Sequence, residues 1–172
     1  MSGNHLPALL PDAHLGYPAR MLMSIARGVA AGAAGVTALN AATYVDMAVR
    51  GRQASSTPEQ SVEKLASTVG VRVPGTGATR QSRLSGLGAL LGALTGTTVG
   101  AAYGVLRGLG WRPPVLVGAL APTGAAMVAA AGPMTVLGIT DPRRWTADDW
   151  LSDVIPHVAY GVVTAATFHA TE

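Results

Sequence analysis

Two polar residues four positions apart stand inside the last apolar stretch of the chain. Asp153 and His157 lie in the segment DWLSDVIPHVAYGVVTAATFHA, and their i, i+4 spacing places both on one face of a helix. Imidazole changes its charge near neutral pH, and ionisable groups at membrane depth are costly enough to make function the first hypothesis. The pair therefore predicts a proton-linked or ligand-binding site, or else a structural pair that holds two helices together.

A second group of polar residues ends the first apolar stretch, in TALNAATYVDMAVR. Asn40 and Tyr44 share a helix face, and Asp46 is spaced to pair with Arg50 at i, i+4. If the first and last apolar helices are neighbours, both groups meet in one polar cluster in the inner membrane leaflet. The predicted cluster consists of Asn40, Tyr44, Asp46, Asp153, His157 and Tyr160.

Other site chemistries have no motif in this sequence. It contains no cysteine, no HExxH or paired Glu-x-x-His pattern for a metal and no GxSxG nucleophile motif. Haem ligation by His157 is not expected, because no second histidine lies deep in another apolar stretch. The basic residues lack the aromatic interleaving of a nucleic-acid surface. We therefore expect a non-enzymatic protein with no catalytic residue, metal, cofactor or nucleic-acid partner.

The composition indicates that these residues sit on membrane helices. Charged residues make up 12% of the 172 residues, about half the usual share for a soluble domain, and the mean hydropathy is +0.35. Four apolar segments are long enough to span a bilayer, with helices predicted at about 21–49, 84–107, 114–138 and 147–170. We expect an all-α, integral membrane four-helix bundle over residues 21–172, preceded by an irregular arm at 1–20. The alternative is a soluble protein with four buried core helices.

The second apolar segment, GLGALLGALTGTTVGAAYGVLRGLG, has a glycine at every fourth position. In lipid, helices associate through close packing of small residues, so this glycine ladder predicts a helix-packing stripe. The stripe packs either within one bundle or between copies of the chain, which could then surround a pore. The ladder consists of Gly88, Gly92, Gly96, Gly100, Gly104 and Gly108.

Basic residues set the predicted orientation. The two long loops contain Arg50, Arg52, Lys64, Arg72, Arg80, Arg83, Arg143 and Arg144, against Arg20, Arg27, Arg107 and Arg112 on the other side. Loops 50–83 and 139–150 are therefore predicted to be cytoplasmic in a multi-pass plasma-membrane protein with both termini outside. The first loop contains a short amphipathic helix predicted at 58–69, placed on the inner membrane surface or against the bundle.

Two stretches carry a resemblance to known proteins: ARGVAAGAAGVTALNAATYVDMAVRGRQASSTPE and DPRRWTADDWLSDVIPHVAYGVVTA. Together they resemble small, uncharacterised multi-pass membrane proteins of high-GC Gram-positive bacteria. The PHxxYG element, formed by Pro156, His157, Tyr160 and Gly161, also resembles the closing helix of YagU-like inner-membrane proteins, which have been linked to acid tolerance. The resemblance implies a plasma-membrane protein and supplies no catalytic residue.

The residues favour, as the first hypothesis, that the protein is a structural or accessory subunit. Glycine-rich faces with few polar groups favour tight assembly, through self-association or within a larger membrane complex. The alternative is a small oligomeric channel or a proton-linked transporter that uses Asp153 and His157.

Overall fold

The computed structural model describes residues 16–172 of the chain. Within that range the chain is all-α, without a β-strand, as the sequence predicts. The helices are α1 (Tyr17–Arg50), α2 (Thr57–Thr68), α3 (Gly77–Gly108), α4 (Val115–Val136) and α5 (Ala147–Ala170), with a 3-10 turn at Pro142–Arg144.

Three helices, α1, α3 and α4, are long and apolar enough to cross a membrane. The predicted fourth span, α5, is not among them. The physical reason lies in its first half, where three aspartates, a proline and a histidine lower the average hydropathy of the helix. These residues are Asp148, Asp149, Asp153, Pro156 and His157.

Two helices begin earlier than predicted. α1 starts at Tyr17 with Pro18 in its first turn, where the fixed φ of proline suits a helix and its missing N–H costs nothing. The end of the predicted irregular arm is therefore helical, and residues 1–15 of that arm lie outside the described part of the chain. α3 starts at Gly77 instead of near residue 84, because its first residues are too polar for a membrane core but still suit a helix.

The four long helices form a closed ring. α1 packs against α3 and α5, α4 packs against α5 and α3, and α2 lies outside the ring on α3. Neighbours in the ring are antiparallel, so the connections 51–76 and 137–146 lie at one end, which we call the α2 end. The turn at 109–114 lies at the opposite end. This arrangement makes α1 and α5 neighbours, as the predicted polar cluster requires.

The second half of the glycine ladder faces α1. A Cβ atom built on Gly100 would lie 2.5 Å from the Cα of Gly32, and one built on Gly104 would lie 3.1 Å from the Cα of Gly28. Ser24 of α1 donates a hydrogen bond from Oγ to the carbonyl oxygen of Gly104 at 2.9 Å. The two backbones approach this closely because neither helix has a side chain between them.

The other glycines of the ladder contact side chains, except one that contacts nothing in the described chain. A Cβ on Gly108 would lie 2.9 Å from Sδ of Met21, and one on Gly88 would lie 2.9 Å from Cβ of Pro58 in α2. Gly96 abuts Val36 of α1, whereas nothing lies within 4 Å of a Cβ on Gly92. Within the described residues the ladder therefore packs inside one chain everywhere except at Gly92.

Aromatic rings around a buried arginine close the end opposite α2. Tyr103 contacts Phe168 edge to face at 5.5 Å and Trp111 at 6.2 Å between ring centroids. Arg107 is 3% exposed, lies 5.4 Å from the ring centroid of Phe168 and forms an ion pair with Glu172. These contacts tie α3 to the last turn of α5.

Candidate functional site

A cavity of about 690 Å³ opens at the α2 end between α1, α4 and α5. We call it the α1/α4/α5 cavity. Its walls combine the polar ends of α1 and α5 with an apolar segment of α4 and parts of both connections. The lining consists of Leu39, Asn40, Thr43, Tyr44, Met47, Arg52, Gln53, Ala54, Ser55, Thr57, Pro58, Ala130, Ala131, Met134, Thr140, Trp145, Asp149, Ser152, Asp153, Pro156 and His157.

The α5 wall of the cavity contains the predicted Asp153–His157 pair. Nδ1 of His157 lies 2.7 Å from the carbonyl oxygen of Asp153 and 3.5 Å from its Oδ1. In the neutral imidazole, Nδ1 then carries the hydrogen and donates a hydrogen bond to that carbonyl oxygen. This tautomer leaves Nε2 as an acceptor. The second carboxylate oxygen of Asp153, Oδ2, is buried and has no hydrogen-bond partner among the described residues.

Pro156 shapes this wall. It is buried within α5 and removes the N–H that would bond the carbonyl of Ser152 in a regular helix. The hydroxyl of Ser152 donates to the carbonyl oxygen of Asp148 at 2.7 Å and accepts a hydrogen bond from Arg50. The Ser152 side chain thus links the first turns of α5 to Arg50 of α1.

An ion-pair network ties α1 to α5 at the mouth of the cavity. Arg50 donates to both carboxylate oxygens of Asp46, at 2.6 and 2.8 Å, as the sequence spacing predicts. Arg52 also pairs with Asp46, and Arg50 reaches Asp148 at 3.5 Å. Asp46 is therefore neutralised by two arginines and does not line the cavity, although it belongs to the predicted cluster.

Tyr160 lies beyond the floor of the cavity, although it also belongs to the predicted cluster. It is fully buried and donates a hydrogen bond from its hydroxyl to the carbonyl oxygen of Gly96 at 2.6 Å. It packs with Val99 and Ala126 in an apolar cluster that includes Leu39, one of the cavity residues. Tyr160 and its apolar cluster therefore lie deeper along α5 than the cavity residues Asp153 and His157.

The structure thus brings together four of the predicted cluster residues, Asn40, Tyr44, Asp153 and His157, in one cavity lining. Trp145 also lines the cavity and is not among the residues of the predicted cluster. Its indole nitrogen donates to Oγ1 of Thr140 at 2.8 Å, which holds the ring at the cavity. No local sequence signal reveals this contact, because it depends on how the connection folds back.

The described residues contain no group of three or more His, Cys, Asp or Glu side chains that could hold a metal ion. The cavity lining contains the carboxylate of Asp153, an imidazole acceptor and two aromatic rings, those of Tyr44 and Trp145. One oxygen of that carboxylate, Oδ2, is itself buried without a partner in the described chain. Carboxylates and aromatic faces both attract cations. The arrangement is therefore suited to a small cation or a proton.

No protein-family model matches the chain, and neither the curated proteins nor the solved structures include one that is significantly similar to it.

Proposed function

We propose that the chain is a non-enzymatic, four-span membrane protein that binds a small organic cation in the α1/α4/α5 cavity in exchange for protons. The observation that carries the proposal is the Asp153–His157 pair in the lining of the α1/α4/α5 cavity, where Oδ2 of Asp153 is buried and has no partner among the described residues. A buried carboxylate without a partner is costly, and a bound cation would offset that cost.

The exposed face of α5 supports its role as the fourth span of a membrane four-helix bundle. The helix has 24 residues, about 36 Å at 1.5 Å per residue. Its exposed large apolar side chains are Trp150, Leu151, Ile155, Val158 and Val162, whereas the exposed polar residues Asp148, Asp149 and His169 lie in its first and last turns. Asp153 and His157, farther along the helix, line the cavity instead. A helix with this distribution fits lipid on one side and a water-filled cavity on the other.

Basic residues favour a cytoplasmic opening for the cavity. Both loops with the larger share of Arg and Lys lie at the α2 end, where the cavity opens. The positive-inside rule places that end in the cytoplasm. The cavity would then take its ligand from the cytoplasmic side, with the aromatic cluster around Arg107 closing the outer side.

Charges around the cavity favour a cation over an anion. Among the described residues Arg52 is the one arginine in the lining, and it pairs with Asp46. Asp149 accepts hydrogen bonds from Thr146, and the lining residues of α4 are uncharged. Protons on the Asp153–His157 pair would add positive charge beside the ligand, so cation binding should weaken as the pH falls.

The test uses purified protein in detergent, tetramethylammonium as the probe cation, and tryptophan fluorescence from Trp145 as the readout. We expect saturable binding that the Asp153→Asn variant weakens by about tenfold, as the loss of a contact of about 1.4 kcal/mol implies. Asp148→Asn is the matched control, because Asp148 belongs to the same helix, is 85% exposed and does not line the cavity. Equal binding by wild type and Asp153→Asn would refute the cation site.

Exchange is tested in vesicles that contain a pH-sensitive dye. An inward tetramethylammonium gradient should drive protons out and alkalinise the lumen only with protein present, and His157→Gln should reduce the rate while leaving cation binding measurable. A proton flux that does not depend on the cation gradient would contradict exchange and favour a channel. No flux at all with the wild-type protein would remove the transport proposal.

A second candidate function is that of an accessory subunit, which the outer face of the ring favours. A methyl group added at Gly92 or Gly124 would have nothing within 4 Å of it, so small residues remain uncovered on α3 and α4. A native-mass measurement in mild detergent separates the two functions. A stable monomer would argue against self-association, whereas a dimer lost in Gly124→Leu would support it.

A further inference from the structure

A second concave surface lies on the other side of the α2 end, between α2 and α3. This α2/α3 groove has a volume of about 670 Å³ and an almost wholly apolar lining. Its floor comes from α3 and its walls from α2 and the segment that joins the two helices. The lining consists of Val62, Ala66, Val71, Arg72, Val73, Pro74, Arg83, Gly86, Leu87 and Leu90.

The apolar side of α2 is only partly covered by the rest of the protein. α2 contacts α3 through Pro58, which abuts Gly88, and through the ion pair between Glu63 and Arg80. Leu65 and Val69 remain 42% and 72% exposed. An amphipathic helix that leaves its apolar stripe uncovered beside a groove is typical of an element in contact with lipid.

The groove continues into the outer surface of a membrane-spanning helix. Leu87 and Leu90 line it, and Leu94 follows one turn further along α3 with 64% of its surface exposed. These side chains share one helix face at i, i+3 and i+7. An extended hydrocarbon chain in the groove would therefore run on along α3 into the apolar part of the bilayer.

Two arginines line the same groove, which has no acidic residue in its described lining. Arg83 donates from Nη1 to the carbonyl oxygen of Pro74 at 2.9 Å, which fixes its guanidinium while leaving its other N–H groups available. Arg72 stands on the joining segment and is exposed. Guanidinium groups bind phosphate through paired N–H donors.

We propose that the α2/α3 groove binds an anionic phospholipid, with one acyl chain along Leu87 and Leu90 and the phosphate between Arg72 and Arg83. The apolar lining, its continuity with the lipid-facing surface of α3 and the two guanidinium groups together match this ligand class. The inference rests on the membrane placement in the proposed function but not on Asp153, His157 or cation binding.

The experiment counts lipids bound to the purified full chain by native mass spectrometry in mild detergent. Phosphatidylglycerol and phosphatidylcholine with the same acyl chains are compared, together with inorganic phosphate alone. We expect tighter binding of phosphatidylglycerol, no retained phosphate, and a loss of about tenfold in phosphatidylglycerol affinity in R72Q/R83Q, since each basic residue near an anionic headgroup contributes measurably. Phosphatidylcholine binding should change little.

Two further variants make the test specific to the groove. R143Q/R144Q removes the same charge from another loop at the α2 end and should leave phosphatidylglycerol binding unchanged. Gly86→Trp fills the groove at a position where nothing lies within 4 Å of an added Cβ, and it should lower binding of both lipids. Equal losses in R72Q/R83Q and R143Q/R144Q, or no loss in R72Q/R83Q, would overturn the proposal.

Discussion

The carboxylate of Asp149 shows how single residues fix the start of α5. The hydroxyl and the backbone N–H of Thr146 donate to its Oδ2 at 2.7 and 2.9 Å, while the N–H of Asp149 donates to the Thr146 hydroxyl at 3.2 Å. This reciprocal pair is a capping box. It sets the helical phase that carries Asp153 and His157 to the cavity.

The capping box, at the polar end of α5 ahead of its apolar part, predicts a pH-dependent contribution to stability. Hydrogen bonds from the Thr146 hydroxyl and then from its backbone lower the pKa of Asp149 from its usual value of 3.8. Such a carboxylate stabilises the fold above its ordinary pKa and loses that effect as the pH falls through the lowered value. We expect thermal unfolding to show Asp149→Asn less stable than wild type near neutral pH, with the difference shrinking below about pH 4.

Asp148→Asn is the control for this prediction, because Asp148 lies in the same turn without taking part in the capping box. A difference between wild type and Asp149→Asn that stays constant down to acid pH would contradict the role of the carboxylate charge.

Tyr160 gives a second prediction for a single residue. Tyr160→Phe removes the hydroxyl that bonds Gly96 while keeping the ring, and we expect a loss of about 0.5–1.5 kcal/mol in the free energy of unfolding. Tyr44→Phe is the matched control, since Tyr44 is 63% exposed, and it should cost little. Equal stability of Tyr160→Phe and wild type would show that the α3–α5 hydrogen bond is not a stabilising contact.

At the level of whole helices, the glycine ladder of α3 forms the contact between α1 and α3. Gly100 and Gly92 are two turns apart on one helix, but only Gly100 meets the backbone of α1. Gly100→Ala should cost about 1–3 kcal/mol, because the added methyl group overpacks the contact. Gly92→Ala should be neutral or slightly stabilising, since alanine is the better helix former.

Denaturation in mild detergent checks this pair of variants. Equal effects of Gly100→Ala and Gly92→Ala would contradict packing of the ladder on α1. Loss of a dimer in Gly92→Ala would instead place a partner on the outer face.

Local signals account for most of what the sequence predicts about the helices. α5 begins at its predicted first residue, 147, and α2 lies within one residue of its predicted bounds at both ends, because caps and breakers act over a few residues. Which helix packs against each glycine-rich face depends on contacts between distant segments, so the sequence alone does not predict it. The same holds for Arg107, which sits beside Glu172 only after α3 and α5 have packed.

The structure places α1 beside α5, but the residues of the predicted polar cluster lie at different depths along these helices. Tyr160 follows Asp153 by seven residues, so it shares its helix face, yet it lies about 10 Å deeper along α5. That distance carries it past the cavity floor and into the apolar cluster with Val99 and Ala126. The spacing of residues in the sequence is enough to show which of them share a helix face. The depth of a cavity, by contrast, depends on the side chains of every helix around it.

At the scale of the whole molecule, the proposed membrane placement puts lipid on the outside of the ring and water in the α1/α4/α5 cavity. Because the chain contains no cysteine, single introduced thiols report each environment without background. Asn40 lines the cavity, and Val128 is 71% exposed on the outer face of α4. In a soluble protein both positions would contact water, whereas in a membrane only Asn40 would.

The most direct test of this placement is the reaction of Asn40→Cys and Val128→Cys with a charged, membrane-impermeant thiol reagent in sealed vesicles. We expect Asn40→Cys to react only when the reagent is on the cytoplasmic side, and Val128→Cys to react from neither side. Rapid reaction of Val128→Cys, or reaction of Asn40→Cys from the outer side alone, would contradict a membrane bundle with a cytoplasmic cavity.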